Sequence, residues 1–261
     1  MSIPTEFVSF IHDLAEVSAK VIVPFYGQPV AVEVKKDVSP VTMADKNAEA
    51  AMRDVINSRY PMHGIWGEEY GAERLDAEWV WVLDPVDGTK AFSSGLLTFG
   101  TLIALMHNGV PVVGVINQPI VKDRWLGING QPTTRNGKPI RTRACNDLSL
   151  AVMRGCEPRE FRLLGEYDCF AQLASQTRYE DALWGGDCLN YGVLAGGYID
   201  LVVEATMKLH DFAPMQPIIE GAGGVISDWQ GRPLTMQSDG HVIAAGSRVL
   251  LDKAVAILGA A

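Results

Sequence analysis

Asp84 and Asp87, three residues apart and followed at once by Gly88 and Thr89, are the side chains of this sequence best placed to do chemistry. They close an apolar run, Trp79 to Leu83, that is long enough for a buried strand. An acid arriving there has no place in a core unless it is paired or faces a site. Pro85 removes a backbone donor and pushes Asp84 toward an extended conformation, which predicts that the strand ends at Asp84 and the chain turns. Gly88 lets backbone approach a ligand closely, and Thr89 adds a hydroxyl and an N–H where a helix can begin, an arrangement suited to an anion. Two carboxylates beside an anion nest point to phosphate held against divalent cations, because carboxylates and phosphate repel one another without metal between them. Alone, Asp-x-x-Asp-Gly is more often a surface turn, so its company elsewhere in the chain decides.

That company consists of acids at the ends of predicted elements. Apolar residues recurring at three and four predict a helix over 5–23 that Pro24 stops, and a short strand follows over 30–34. Thr42 offers an N-cap for a second helix whose first turn carries Asp45, a position acids favour on ordinary grounds. Ile65 and Trp66 begin a strand ending in Gly67-Glu68-Glu69; two adjacent glutamates are usually a solvated surface. Strands over 99–106 and 110–117 meet at Asn108-Gly109, a tight hairpin signal, and further antiparallel strands are expected over 124–128 and 140–143. Near Asp147 the pattern changes: a strand over 148–153, helices over 158–166 and 187–195, and a buried strand over 199–203 closed by Glu204. Asp211 then heads a helix over 212–221. Two closely packed halves are expected, 1–147 carrying the metal and phosphate groups and 148–261 contributing to the substrate, with no low-complexity linker between them.

Composition limits the partners. Thirty-one acids against 22 bases give a formal charge of −9, and no basic run exceeds Lys35-Lys36, so nucleic acid is not an expected partner. Few bases lie near Asp84, which leaves bound metal as the source of positive charge for a phosphate ester. Cys145, Cys156, Cys169 and Cys188 show no Cys-x-x-Cys spacing and read as reduced thiols of a cytoplasmic protein. No apolar run approaches a membrane span and the amino terminus carries no export pattern, so no membrane partner is expected.

The run Asp84-Pro-Val-Asp-Gly-Thr89 resembles the Asp-Pro-Ile-Asp-Gly-Thr signature of the inositol monophosphatase superfamily, with Val86 where Ile is usual. Ser39-Pro-Val-Thr-Met-Ala-Asp45, Gly67-Glu68-Glu69 and the segment around Asp211 resemble three further motifs of that superfamily in the right order; His210 stands where it has Trp. The resemblance implies an α/β (α+β) layered α-β-α-β-α sandwich with two mixed, largely antiparallel sheets, usually as a homodimer. It implies that Glu68, Asp84 and the Val86 carbonyl hold one metal, Asp84, Asp87 and Asp211 a second, and Asp45 with Glu68 a weaker third. Gly88 and Thr89 would hold the phosphate, and Glu68 and the Thr89 hydroxyl would manage the proton of a metal-activated water. Every donor in this set is oxygen, which favours Mg²⁺, two or three per site, or Mn²⁺, over Zn²⁺. His210 is expected to pack rather than to ligate. Within the superfamily, the stretch from Lys90 through Arg124-Trp-Leu-Gly, and Gly185-Gly-Asp-Cys188, look most like the histidinol-phosphate phosphatases. Glu204 and Asp187 would then recognise the cationic end of the substrate, although Asp187 could equally cap a helix and Glu204 meet solvent. Inositol 1-phosphate is the alternative substrate and a nucleotide bisphosphate the third; an inactive, metal-stabilised regulatory dimer is the non-enzyme reading.

Overall fold

The structure is a computed structural model that describes residues 3–27 and 42–259. The strand expected over 30–34, and residues 39–41 of the segment that ends at Asp45, lie outside the described residues.

Among the described residues the strands form two sheets. The first is built from β1 (Gly64–Gly67), β2 (Gly71–Glu73), β3 (Trp79–Asp87), β4 (Gly100–His107), β5 (Val110–Gln118), β6 (Asp123–Ile128), β7 (Thr134–Arg135) and β8 (Lys138–Pro139), in the order β2-β1-β3-β4-β5-β6-β7-β8. Only β1 beside β3 is parallel. The second joins β9 (Met153–Gly155), β10 (Leu183–Trp184), β11 (Leu201–Glu204), β12 (Val225–Ser227) and β13 (Val242–Ala245) in the order β10-β9-β11-β13-β12. It is parallel across β10, β9 and β11 and antiparallel across β11, β13 and β12. The expectation of largely antiparallel sheets therefore holds for the first and only half for the second.

Side-chain alternation turns these sheets into layers. Along β4, Leu102, Ala104 and Met106 enter a core between the two sheets, while Ile103 and Leu105 enter the core under α1 (Thr5–Ile22) and α2 (Thr42–Arg59). On β13, Val242 and Ala244 face the same middle core, and Ile243 and Ala245 face a third core. That third core is closed by α4 (Pro158–Leu164), α5 (Tyr167–Ala174) and α9 (Arg248–Leu258). The middle layer holds α6 (Leu189–Ala195), α7 (Leu209–Phe212) and α8 (Met215–Gly221). The result is an α-β-α-β-α sandwich with both sheets buried on both faces. Two glycines set how closely its middle layers approach. A Cβ at Gly114 would lie 2.1 Å from the Pro214 carbonyl oxygen, and one at Gly127 2.4 Å from the Ile218 nitrogen, so α8 and its approach rest directly on β5 and β6.

Several boundaries differ from expectation for identifiable reasons. Strand β3 does not stop at Asp84 but runs to Asp87, because its pairing with β4 shifts register between those residues and a bulge absorbs the donorless Pro85. The strand expected over 148–153 is a 3₁₀ turn, Leu148–Leu150, whose N-cap Asp147 accepts from the Ser149 nitrogen, with β9 following. No strand forms over 140–143, where Ile140 and Thr142 hydrogen-bond instead to Thr133 and Ala222. The helix expected over 212–221 is two helices, α7 and α8, with Pro214 between them. Strand β13 and helix α9 were not anticipated.

Candidate active site

The bulge in β3 shapes the centre of the site. Asp84 is fully inside the protein, and its Oδ1 accepts from the Val86 nitrogen two residues on at 3.0 Å, while the Pro85 carbonyl accepts from the buried Thr101 hydroxyl at 2.8 Å. Asp87 Oδ2 accepts from the Cys188 nitrogen at 2.7 Å, which ties the loop to the start of α6. Gly88 then adopts φ +81° and caps α3 (Thr89–Ser93). A side chain there would be strained by that φ and would meet Asp187 Cγ and Phe99 Cα at 3.0 Å, so the position requires glycine. The Thr89 hydroxyl donates to the Val86 carbonyl at 3.3 Å.

Glu68 reaches the same place from β1. Its turn is clamped by Glu49 of α2, which is wholly buried and accepts from the nitrogens of Glu69 at 2.8 Å and Tyr70 at 3.1 Å. Arg53 one turn later pairs with Glu49 at 2.7 Å and also reaches Glu73 of β2. Gly67 completes the fit, since a Cβ there would overlap Glu49 at 1.9 Å from Oε1. The carboxylate of Asp211, on α7, accepts from the Lys208 nitrogen at 2.7 Å, as an acid in a first helical turn does.

These elements bring ligand-type atoms into two clusters that share Asp84. In each cluster the atoms lie within 4.8 Å of one another: Glu68, Asp84 and His210 in one, Asp84, Asp87 and Asp211 in the other. Asp45 belongs to neither, although it is buried and its Oδ1 has no hydrogen-bond partner. Burial first, and then the charges of Glu68, Glu69 and Glu49, push Asp45 up to about 8. Burial and the neighbouring carboxylates likewise raise Asp84 well above the usual carboxylate range and Asp87 to about 7; burial raises Asp211 to about 6. Among the described residues, no lysine or arginine forms an ion pair with Asp45, Asp84, Asp87 or Asp211. Asp45 and Asp84 are buried, Asp87 and Asp211 half-buried and Glu68 exposed; carboxylates crowded together in this way without a base fit bound cations, which would relieve the repulsion without protonating them.

A cavity of about 270 Å³ opens beside the second cluster and is floored by Asp87, Gly88, Thr89 and Asp211. Asp187, beside Gly88, and Glu204 also line it. Asp187, in a left-handed conformation, accepts from the Thr98 hydroxyl at 2.9 Å and makes no cap for α6, which excludes its ordinary explanation. Glu204 ends β11 at 4% exposure, so it does not meet solvent; its Oε2 accepts from the Cys156 nitrogen at 3.4 Å and its Oε1 has no partner. Burial pushes it up to about 8. Glu157 and Glu160 also line the cavity, against one lysine, Lys90, which is paired with Glu157. Sequence reasoning overlooked Glu49, Glu157 and Glu160. The i,i+4 spacing of Glu49 and Arg53 on a predicted helix was a usable signal for the first, but nothing local marks the other two.

Comparison with known proteins follows the same lines. The family model for the inositol monophosphatase family matches residues 4–260. The bifunctional phosphatase IMPL2 of Arabidopsis thaliana is 41% identical over 246 residues, covering 94% of this chain and 70% of the relative. A histidinol-phosphatase of Chlorobaculum parvum is 32% identical, covering 89% of each protein. The solved structure of an inositol monophosphatase from Zymomonas mobilis superposes with a TM-score of 0.92 at 46% identity, over 99% of this chain and 100% of the other.

Proposed function

Because the chain belongs to the inositol monophosphatase family, we propose that it is a Mg²⁺-dependent phosphomonoesterase whose substrate is L-histidinol phosphate, hydrolysed to L-histidinol and phosphate. In this reading Glu68, Asp84 and the Val86 carbonyl hold one ion, Asp84, Asp87 and Asp211 a second, and Asp45 with Glu68 a weaker third. Bound cations would offset the charge of the phosphate, acidify the attacking water and stabilise the departing alkoxide. The backbone N–H groups of Gly88 and Thr89, at a helix start where they lack intrahelical acceptors, donate to the phosphate oxygens. The Thr89 hydroxyl, donating to the Val86 carbonyl, keeps lone pairs free to orient the attacking water, and Glu68 accepts its proton. The water oxygen bonds to phosphorus, the ester P–O bond breaks, and the alcohol oxygen leaves and is protonated.

The observation that carries the substrate is the set of carboxyl groups on the cavity wall, which a bound cation would hold ionised. Asp187 and Glu204 converge on the cavity with Glu157 and Glu160, and one Glu204 oxygen is unpartnered. Histidinol phosphate brings an ammonium and a titratable imidazole, whereas an inositol phosphate brings only hydroxyls. One carboxylate serves either, but several favour the cation. The relative named histidinol-phosphatase supports this reading; the Zymomonas mobilis protein, named for inositol monophosphate, supports inositol 1-phosphate as the second. Phosphate release from histidinol phosphate, inositol 1-phosphate and adenosine 3′,5′-bisphosphate at one Mg²⁺ concentration tests it. Preference for inositol 1-phosphate would sink the histidinol assignment and spare the phosphatase.

A further inference from the structure

The imidazole of His210 has no structural occupation that accounts for its burial. The other four histidines each have a ring nitrogen engaged: His12 with Arg124, His63 with Trp81, His107 with Glu78 and His241 with Glu166. His210 is 5% exposed, and its Nδ1 is buried with no hydrogen-bond partner, while its Nε2 stands 3.5 Å from Asp211 Oδ1, beyond a good hydrogen bond. Buried polar atoms are satisfied in the large majority of cases, so an exception beside a cation site calls for a partner that is absent from the protein itself. A ring nitrogen of His210 falls within 4.8 Å of ligand oxygens of both Glu68 and Asp84.

We propose that His210 is a nitrogen ligand at the metal position of Glu68 and Asp84, and that it strengthens the binding of Zn²⁺ at this position while leaving its binding of Mg²⁺ little changed. The inference rests on the reading of Glu68 and Asp84 as metal ligands. Mg²⁺ is served by oxygen donors, and an imidazole adds little for it; the same nitrogen raises affinity for borderline ions such as Zn²⁺. The spacing suits this. Ligand atoms around a tetrahedral Zn²⁺ stand about 3.4 Å apart at ordinary Zn–N and Zn–O lengths, so the three groups need only draw in by about an ångström or so, as repelling carboxylates do when a cation arrives between them. The topology suits it too. Residues 210 and 211 lie side by side on α7, which packs on β3 and β4, and so supply one donor to each of the two clusters that Asp84 joins.

The test is pulsed electron paramagnetic resonance of the full chain loaded with Mn²⁺ alone, together with titration calorimetry of Zn²⁺ and Mg²⁺ on wild type, His210→Gln, His210→Phe and Asp84→Asn. The wild type should show the hyperfine coupling of a directly coordinated imidazole nitrogen, and both His210 variants should lose it. Zn²⁺ affinity should fall at least tenfold in both, since even a ligand's supporting partner is worth that much, while Mg²⁺ affinity stays within about twofold. Absence of nitrogen coupling in the wild type overturns the proposal without recourse to any variant that misfolds; so does a coupling, or a Zn²⁺ affinity, that survives in folded His210→Phe. If Asp84→Asn binds both ions as the wild type does, the underlying metal-site reading fails and this inference with it. If Asp84→Asn loses both ions while His210→Gln changes neither, the metal site stands and the nitrogen ligand falls.

Discussion

Replacing Glu204 by Gln should stabilise the free protein and impair it toward a cationic substrate. In the fold this carboxyl sits at about 8 against an ordinary 4.5, with burial as the largest cause. An acid whose value rises on folding costs nothing below pH 4.5, where both folded and unfolded chains hold the proton. The cost grows as the unfolded chain releases its proton and levels off above pH 8, when the folded one does too. At about 1.4 kcal/mol per pH unit the penalty is roughly 3 kcal/mol at pH 7 and about 5 kcal/mol above pH 8, as an order of magnitude. A Gln keeps the shape, and its amide oxygen still accepts from the Cys156 nitrogen, so the penalty disappears with little loss in exchange. Urea denaturation in metal-free buffer should find the two proteins alike at pH 4 and the variant ahead by roughly 3 kcal/mol at pH 7. In turnover the order reverses. Loss of a hydrogen bond to a charged group is worth about 1.5 to 3 kcal/mol, so kcat/KM for histidinol phosphate should fall about 10- to 150-fold, while a simple aryl phosphate is cleaved as before. Equal stability of the two proteins at pH 8 would refute the electrostatic argument. An equal loss on both substrates would refute the assignment of Glu204 to the cationic end.

Asp84→Asn should remove nearly all turnover and the Mg²⁺-induced rise in Tm, yet raise the Tm of the metal-free protein by relieving a buried charge among carboxylates; wild-type rates in Mg²⁺ would place the site elsewhere. Thr89→Ala should lower kcat by roughly 10²- to 10⁴-fold at nearly constant KM, because the backbone donors survive and the orienting hydroxyl does not; a higher KM at unchanged kcat would make Thr89 a binding residue only. Glu49→Ala should destabilise the protein by about 1 to 3 kcal/mol in urea, the cost of leaving the Glu69 and Tyr70 nitrogens without their acceptor while Arg53 keeps Glu73, and lower kcat by loosening the Glu68 turn. A change below about 1 kcal/mol would show that the turn holds itself.

The long apolar strands and the oxygen-bearing turns were legible because their signals are local. The residues 79–83, 99–106 and 110–117 carry continuous apolar runs broken by Asn-Gly, and the structure places β3, β4 and β5 there. Short strands of two or three residues, β2, β7, β8 and β10, have no period to read, since partners rather than composition create them. Strand β13 and helix α9 were readable in principle. Val242-Ile-Ala-Ala245 is a buried run, and Ser247 before Leu250, Leu251, Ala254 and Leu258 is an N-cap followed by a helical stripe; its hydroxyl accepts from the Leu250 nitrogen.

The site divides in the same way. Asp84, Asp87, Gly88 and Thr89 are contiguous, so their chemistry can be read from one segment, but the register shift that lets β3 continue past Pro85 belongs to the pairing with β4 and is invisible in either strand alone. Glu204 and Asp187 illustrate the harder case. Each has an ordinary local explanation, solvent for a strand-end acid and a cap for an acid before a helix, and only the packing of α6 and β11 against the Asp87 loop removes those explanations by burying the one and turning the other toward Thr98. His210 goes furthest. The resemblance, whose ligands there are all oxygens, argues for packing; what argues for a ligand is a buried ring with an unpartnered Nδ1 and a ring nitrogen within reach of two carboxylates contributed by β3 and by the turn after β1. A residue's chemistry can be read from its letter, but whether that chemistry is already spent depends on neighbours brought together from more than a hundred residues away.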